Sequence, residues 1–232
     1  MININELDYI FELARKNSCD CINAIIDFAK RIVNQRDYAK DKSVIDSKVH
    51  LKKYSKGTYL MGACGYYYPS DAIVLIMNNV RRGRVVKESK CDFNKYVYEY
   101  DQSGNLLRIL YLDTNLATHK LTLYNYDIFI TYEKCHTNPT CQNFIISRRD
   151  ESGILQFMVD IFWSIWSNSP SVIYIENYYV LDNDRREYTL TEYCYNSKKL
   201  LGEQIYGKIP LGRYILEYSK NKAINYYTID AK

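Results

Sequence analysis

Apolar residues recur every three to four positions over residues 4–37, and at shorter, alternating spacing from residue 58 onward. The chain thus reads as a helical start followed by a strand-rich remainder. Ile4, Leu7, Tyr9, Ile10, Phe11, Leu13 and Ala14 make one broad helical face, with Asn5 and Asp8 as the start signal. Asn17 to Asp20 break the pattern, and Ser18 is placed to cap a second helix. There Ile22, Ile25, Ile26, Ala29, Ile32 and Val33 form an amphipathic face, with Asp27, Lys30, Arg31 and Gln35 opposite. Residues 38–57 are polar and rich in Lys and Asp, and read as a connector or irregular edge.

Beyond residue 58 the pattern predicts strands at 59–63, 72–77, 84–87, 95–101, 106–113, 119–126 and 128–133. Seven more follow at 144–149, 155–165, 172–181, 187–195, 200–206, 214–218 and 223–229. Most connections are short, and short connections join antiparallel neighbours. Residues 153–167 also fit a helix, because Phe157, Ile161 and Ile165 recur at four; the Phe, Val, Ile and Trp content after an Asp-Glu-Ser-Gly turn favours strand. The expected fold is a single α+β domain over residues 1–232. A helical segment at 1–40 packs on, or caps the end of, a large, curved antiparallel β-meander at 58–232.

Hairpin-like units resemble one another. YEYDQSGNLLRILY from Tyr98 and EYCYNSKKLLGEQIY from Glu192 both carry Tyr-x-Tyr, then Asp or Asn, a polar turn, Leu-Leu and a later Tyr. Asp150, Ser152 and Gly153 repeat the Asp-x-Ser-Gly turn of Asp101, Ser103 and Gly104. Asp starts such a turn by bonding the backbone ahead of it, and Gly supplies the positive φ. The hairpin of Tyr100, Asp101, Gly104, Asn105 and Leu106 resembles the YD-type hairpins of bacterial Rhs-like and MORN-like antitoxin proteins. It covers about fifteen residues, and the copy at 192–206 lacks the turn glycine. The resemblance implies a β-meander immunity partner of a polymorphic bacterial toxin. It carries over no catalytic residue.

Charge and chemistry narrow the picture further. Net charge is only +4 over 232 residues, which alone does not imply nucleic acid. Glu6, Asp8 and Glu12 interrupt the first apolar run, so a signal peptide is not expected. No run is apolar enough to span a bilayer, and a cytoplasmic protein is expected. Seven irregularly spaced cysteines read as buried thiols rather than a disulfide framework. Cys135, His136 and Cys141 offer two thiols and one imidazole in one loop, but a structural zinc needs a fourth ligand. No metal and no cofactor is therefore expected. His50, His119 and His136 sit in no catalytic pattern, and no phosphate loop or nucleophile elbow occurs. Carboxylate pairs such as Glu99 with Asp101 fit a solvated strand face. A sugar-active enzyme would need two of them in a cleft with a perturbed pKa.

Tyrosine is the outlier, at 25 residues. Consecutive pairs place rings on both faces of a strand, and Tyr offers contact area at low entropic cost. The expected function is non-catalytic protein binding, with a cytosolic immunity protein occluding a toxin's active site. The candidate partner-binding residues are Tyr66, Tyr67, Tyr68, Tyr98, Tyr100, Tyr178, Tyr179, Tyr193 and Tyr195, with Arg81, Arg82 and Arg84 as a basic cluster. The alternative is a nucleic-acid- or carbohydrate-binding module using the same basic and aromatic surface.

Overall fold

The computed structural model describes residues 2–56, 70, 72, 76, 84–90, 95–112, 114–133, 140–163, 170–195, 206–220 and 222–229. Three helices come first: α1 (Ile4–Lys16), α2 (Cys19–Asn34) and α3 (Tyr38–Lys48). The start of α1 lies earlier than the Asn5–Asp8 pair suggests. Asn3 caps it, accepting from the Glu6 amide at 2.9 Å, while the Glu6 carboxylate reaches back to the Asn3 amide. Glu is one carbon longer than Asp and closes this reciprocal box. Ser18 does occupy the cap position of α2, but its hydroxyl turns to the Cys21 sulfur instead of capping.

The third helix corrects the reading of 38–57 as a connector. α3 buries none of its residues, so it has no apolar stripe to betray it. It is capped by Asp37, which accepts from the Lys40 amide at 3.0 Å. Its contacts to the sheet include the Tyr38 ring, stacked on His119 at 5.1 Å and edge-on to Tyr132 at 5.2 Å, and Asp46, which meets the Arg108 guanidinium at 2.6 Å.

The described strands form one twelve-stranded sheet. They are β1 (Leu51–Lys56), β2 (Arg84–Val86), β3 (Lys95–Tyr100), β4 (Leu106–Tyr111), β5 (Leu116–Leu123) and β6 (Tyr126–Glu133). The rest are β7 (Cys141–Arg149), β8 (Leu155–Trp163), β9 (Pro170–Val180), β10 (Arg185–Tyr195), β11 (Tyr206–Ser219) and β12 (Lys222–Thr228). From β3 to β12 every strand pairs antiparallel with the next in sequence. The α+β meander is therefore the fold, and residues 155–163 are strand. At the other end β1 sits between β3 and β2, so the simple succession breaks there. The predicted strand at 59–63 lies outside the described residues. Of the one at 72–77, Ala72 and Ile76 are helical rather than extended.

Two features of the long strands escape periodicity. β11 runs through Pro210 and Gly212 because its register slips against Leu190 and Thr191, which pair with Gly212 and Pro210. The skipped residue, Leu211, is a bulge, where Pro is tolerated. Gly104 and Gly153 hold φ of +82° and +79° at equivalent hairpin turns. In both, the Asp carboxylate accepts an amide four residues on: Asn105 at 2.8 Å and Ile154 at 2.9 Å. Both turns also adjoin a register shift, at Glu99/Tyr100 and at Arg148/Arg149. The sequence similarity is thus one hairpin design used twice.

Both sheet faces are buried. Odd-numbered Phe157, Val159, Ile161, Ile173 and Ile175 face α1 and α2, with Ile128, Ile130, Phe144 and Ile146 beside them. The opposite face collects Tyr96, Tyr98, Tyr111, Phe129, Ile145, Met158, Tyr178, Tyr188, Leu216 and Tyr218. Polar contacts fasten the helices to their face. Asn17 closes α1 in the left-handed region at φ 50°. Its side chain bonds Thr191 at 2.9 Å and accepts from the Tyr193 hydroxyl at 2.8 Å. Asn177 donates to the Ala14 carbonyl, and Tyr126 to Asp8.

No atom lies near the Cβ that a side chain at Gly153 would add, so only its positive φ opposes substitution. Gly153→Ala is expected to cost about 1 kcal/mol and Gly153→Asn less. Urea unfolding of the two variants side by side checks this, and equal losses would contradict the backbone explanation.

Candidate functional site

The structure sorts the candidate tyrosines into different places. Tyr98, Tyr100, Tyr178 and Tyr193 are buried, so they are core rings rather than a surface platform. Tyr193 faces the helices, and the other three lie on the opposite face. Tyr179 alone among the placed rings is exposed, at 37%. Tyr66, Tyr67, Tyr68, Arg81 and Arg82 lie outside the described residues. Arg84 begins β2 and Tyr195 ends β10. Alternation explains the outcome. A sheet covered on both sides leaves neither ring of a consecutive pair outward, except where a strand ends.

On the face away from the helices, polar side chains line up across seven strands. The Tyr111 hydroxyl is 3.1 Å from that of Thr118, which is 2.8 Å from that of Thr131. Thr131 stands opposite Asn143, whose amide donates to Asp160 on β8. Asp160 pairs with Tyr174, and Tyr174 with Glu192 on β10. Burial, then the neighbouring Glu192, pushes the Tyr174 phenol up to about 12.

One rung further along β9 sits Glu176, fully buried. Its Oε2 accepts from Ser70 at 2.6 Å and from the Tyr178 hydroxyl at 2.7 Å, and those hydroxyls are 2.9 Å from each other. Oε1 has no hydrogen-bond partner. Burial raises the carboxyl to about 7, because the Ser70 and Tyr178 hydroxyls only partly offset the lost hydration. The sequence shows Asp160 and Glu176 merely as polar residues in apolar runs. The signal available was that a charge inside a run as apolar as Val172–Tyr179 must be paired or neutral. Two buried carboxylates on one face match part of what an enzyme would need. Both are shut in, however, and catalysis requires a substrate to reach them.

On the helix side, Glu99 and Arg108 are buried together: the Arg108 Nε donates to Glu99 at 2.7 Å, and Lys52 approaches the same carboxylate at 3.1 Å. Lys42 and then Arg108 hold the Asp46 carboxyl below its usual range. His119 lies beside this group in β5. Neither ring nitrogen has a hydrogen-bond partner, and burial followed by the Arg108 charge drops its pKa to about 3. It is a neutral core residue. Cys135 and His136 lie outside the described residues, and burial pushes the Cys141 thiol up to about 12. Among the described residues no set of three His, Cys, Asp or Glu side chains is arranged to hold a metal ion.

Among the described residues a run of exposed apolar side chains lies at the β9–β10 end of the sheet. Tyr179, Val180 and Leu181 are consecutive and exposed, the latter two at 67% and 49%. The sequence hides this patch, since YYVL reads as the end of a buried strand. The patch is rigidly held. The Arg15 guanidinium lies 4.3 Å from the centre of the Tyr179 ring and donates to the carbonyls of Tyr178 (2.8 Å) and Gln156 (3.2 Å). The turn beyond is braced by Arg185, whose guanidinium meets Asp182 at 2.6 Å, and by Arg186, which donates to the Asp182 carbonyl. Tyr124, in the β5–β6 turn at the same end, is 71% exposed. A shallow groove of about 890 Å³ adjoins the β9–β10 turn, lined by Asp182, Asp184, Glu217, Arg185, Lys220 and Ile224 among others. Three acids against two bases leave it locally negative, opposite in sign to the whole chain.

No known family, no curated protein and no solved structure matches the chain. Among the described residues no helix is long and apolar enough to cross a membrane.

Glu176 and His119 tilt the pH dependence of stability in opposite directions. Glu176, raised from 4.5 to about 7, contributes stability that is full below 4.5 and is lost as pH rises through 7. His119, lowered from 6.5 to about 3, contributes stability that is full above 6.5 and is lost as pH falls towards 3. Between pH 4.5 and 6.5 the two slopes cancel. Glu176→Gln should therefore uncover stability rising with pH by roughly 1.4 kcal/mol per unit, and His119→Phe a fall of similar size. Urea unfolding across this window measures both. Unchanged slopes in the two variants would refute the assignment.

Proposed function

We propose that the chain is a non-catalytic protein-binding protein, an immunity protein that neutralises a bacterial toxin by covering its active site. The observation that carries this reading is the preorganised apolar patch of Tyr179, Val180 and Leu181. Ordering flexible side chains at an interface costs free energy, and the Arg15 and Arg185 braces meet that cost before any partner arrives. An aromatic ring and two aliphatic side chains beside a charged rim follow the usual division into anchor and steering groups. The locally negative groove suits a basic partner surface. The likeness of the Tyr100–Leu106 hairpin to YD-type hairpins is a further support for the reading.

The test begins with affinity capture of the tagged chain from its source lysate. The expected outcome is one stoichiometric partner with a toxin-like domain. Leu181→Asp and Tyr179→Ala should each weaken that complex at least about tenfold, with unchanged circular dichroism. Co-purification of nucleic acid with no protein partner would overturn the proposal.

A further inference from the structure

A recess of about 440 Å³ lies on the helix side of the sheet, between the carboxyl end of α2 and the far half of β5. That size suits a small molecule. The topology leaves the space open. β5 pairs with β6 from Leu116 to Leu123, but with β4 only from Ala117 to His119. Past His119, therefore, the floor beneath α2 is the edge of one strand. Ile32 of α2, Ile2 ahead of α1, and Leu121 and Leu123 of β5 supply apolar walls. Ile32 is buried and the other three are half-buried, so their apolar surface lines a recess rather than an outer plane. Arg36 stands at the polar side, with Gln35 beside it. The Arg36 Nε donates to Asp41 at 2.7 Å, while its two Nη atoms have no acceptor among the described residues. The side chain is 29% exposed, so those N–H groups can be reached. Asp41 thus fixes the plane of the guanidinium and leaves its outer edge for a second oxyanion. The carbonyl end of α2 would repel an anion, yet the Arg31 and Val33 carbonyls are already taken by the amides of Gln35 and Arg36.

We propose that this recess binds a linear aliphatic monocarboxylate, its chain between Ile2, Ile32, Leu121 and Leu123 and its carboxylate on the Nη edge of Arg36. Two features select that class. The apolar walls reward a hydrocarbon chain, which an inorganic anion lacks. The planar fork of Arg36 matches a carboxylate with two parallel hydrogen bonds, which an alcohol or a plain hydrocarbon cannot make. Arg36 is also the one cation among the described residues that line the recess, so a single negative charge is what it can balance. The inference is independent of the toxin-binding reading, which uses the β9–β10 turn.

Isothermal titration calorimetry of the full chain with decanoate, at neutral pH and below the concentration at which decanoate self-associates, tests it. Decanoate should bind saturably with one site per chain. Two comparisons need no variant. Decanol keeps the chain without the carboxylate, and acetate keeps the carboxylate without the chain; each should bind at least about tenfold more weakly. Arg36→Gln should weaken decanoate at least about tenfold, with unchanged circular dichroism, and leave decanol as it was. Tyr179→Ala, in the β9–β10 patch, should leave decanoate binding intact. Three results overturn the proposal: no saturable decanoate binding, decanol that binds as tightly as decanoate, or full decanoate affinity in folded Arg36→Gln.

Discussion

Both faces of the central sheet are buried through β6 to β9, so a side chain there cannot turn to water in mid-strand. Every position must be apolar, or polar with its partner beside it. This constraint accounts for the row from Tyr111 to Glu192, in which each polar group sits next to another across the strands. It also suits tyrosine at buried positions such as 178 and 126. A phenol fills a wide gap with an apolar ring and then satisfies its hydroxyl on a neighbour, as Tyr178 does with Glu176 and Tyr126 with Asp8. Glu176 and His119 show what happens where the partnering is incomplete. Each gives up its charge, one by holding a proton and the other by lacking one.

What was legible in the sequence follows from the same constraint. The helical period of α1 and α2 and the meander were readable because each element has a strongly apolar face or run. The Asp-x-Ser-Gly turns were readable because their chemistry is local, and the two copies at Gly104 and Gly153 have the same bonds. α3 was not readable: it carries no buried residue and is held by the Tyr38 ring against His119 and Tyr132 and by the Asp46–Arg108 ion pair, all with residues far along the chain. The extent of β11 was hidden by Pro210 and Gly212, whose place at a bulge depends on β10. For the site, the abundance of Tyr was visible but its direction was not. Period two says that neighbouring rings point to opposite sides, and says nothing about whether both sides are covered. Tyr178 and Tyr179 illustrate the point: they are adjacent, yet one is sealed beside Glu176 and the other lies under Arg15 at the rim.

Within the sheet, the exposed large apolar side chains among the described residues consequently lie at strand ends, edges, turns and a bulge. The interior rings stiffen the sheet that presents the rim, and Arg15 links the two by bonding the backbone at Tyr178 while covering the Tyr179 ring. A partner at the β9–β10 turn would meet a surface whose geometry is set by helix α1 as much as by the strands. Strand and helix contributions to such an interface cannot be separated by removing the helix, because its loss would bare an entire apolar face.

The fastenings of α1 also constrain how the molecule comes into being. Asp8, Ala14, Arg15 and Asn17 find their partners at Tyr126, Asn177, Tyr178 and Tyr193, from 118 to 176 residues downstream. Loop closure over such distances must be met before the contacts return anything, which places helix docking late. On the ribosome the two amphipathic helices emerge first, yet their seat is complete only after β10 has been made. Throughout that interval their apolar faces have only each other, or a chaperone, to lie against.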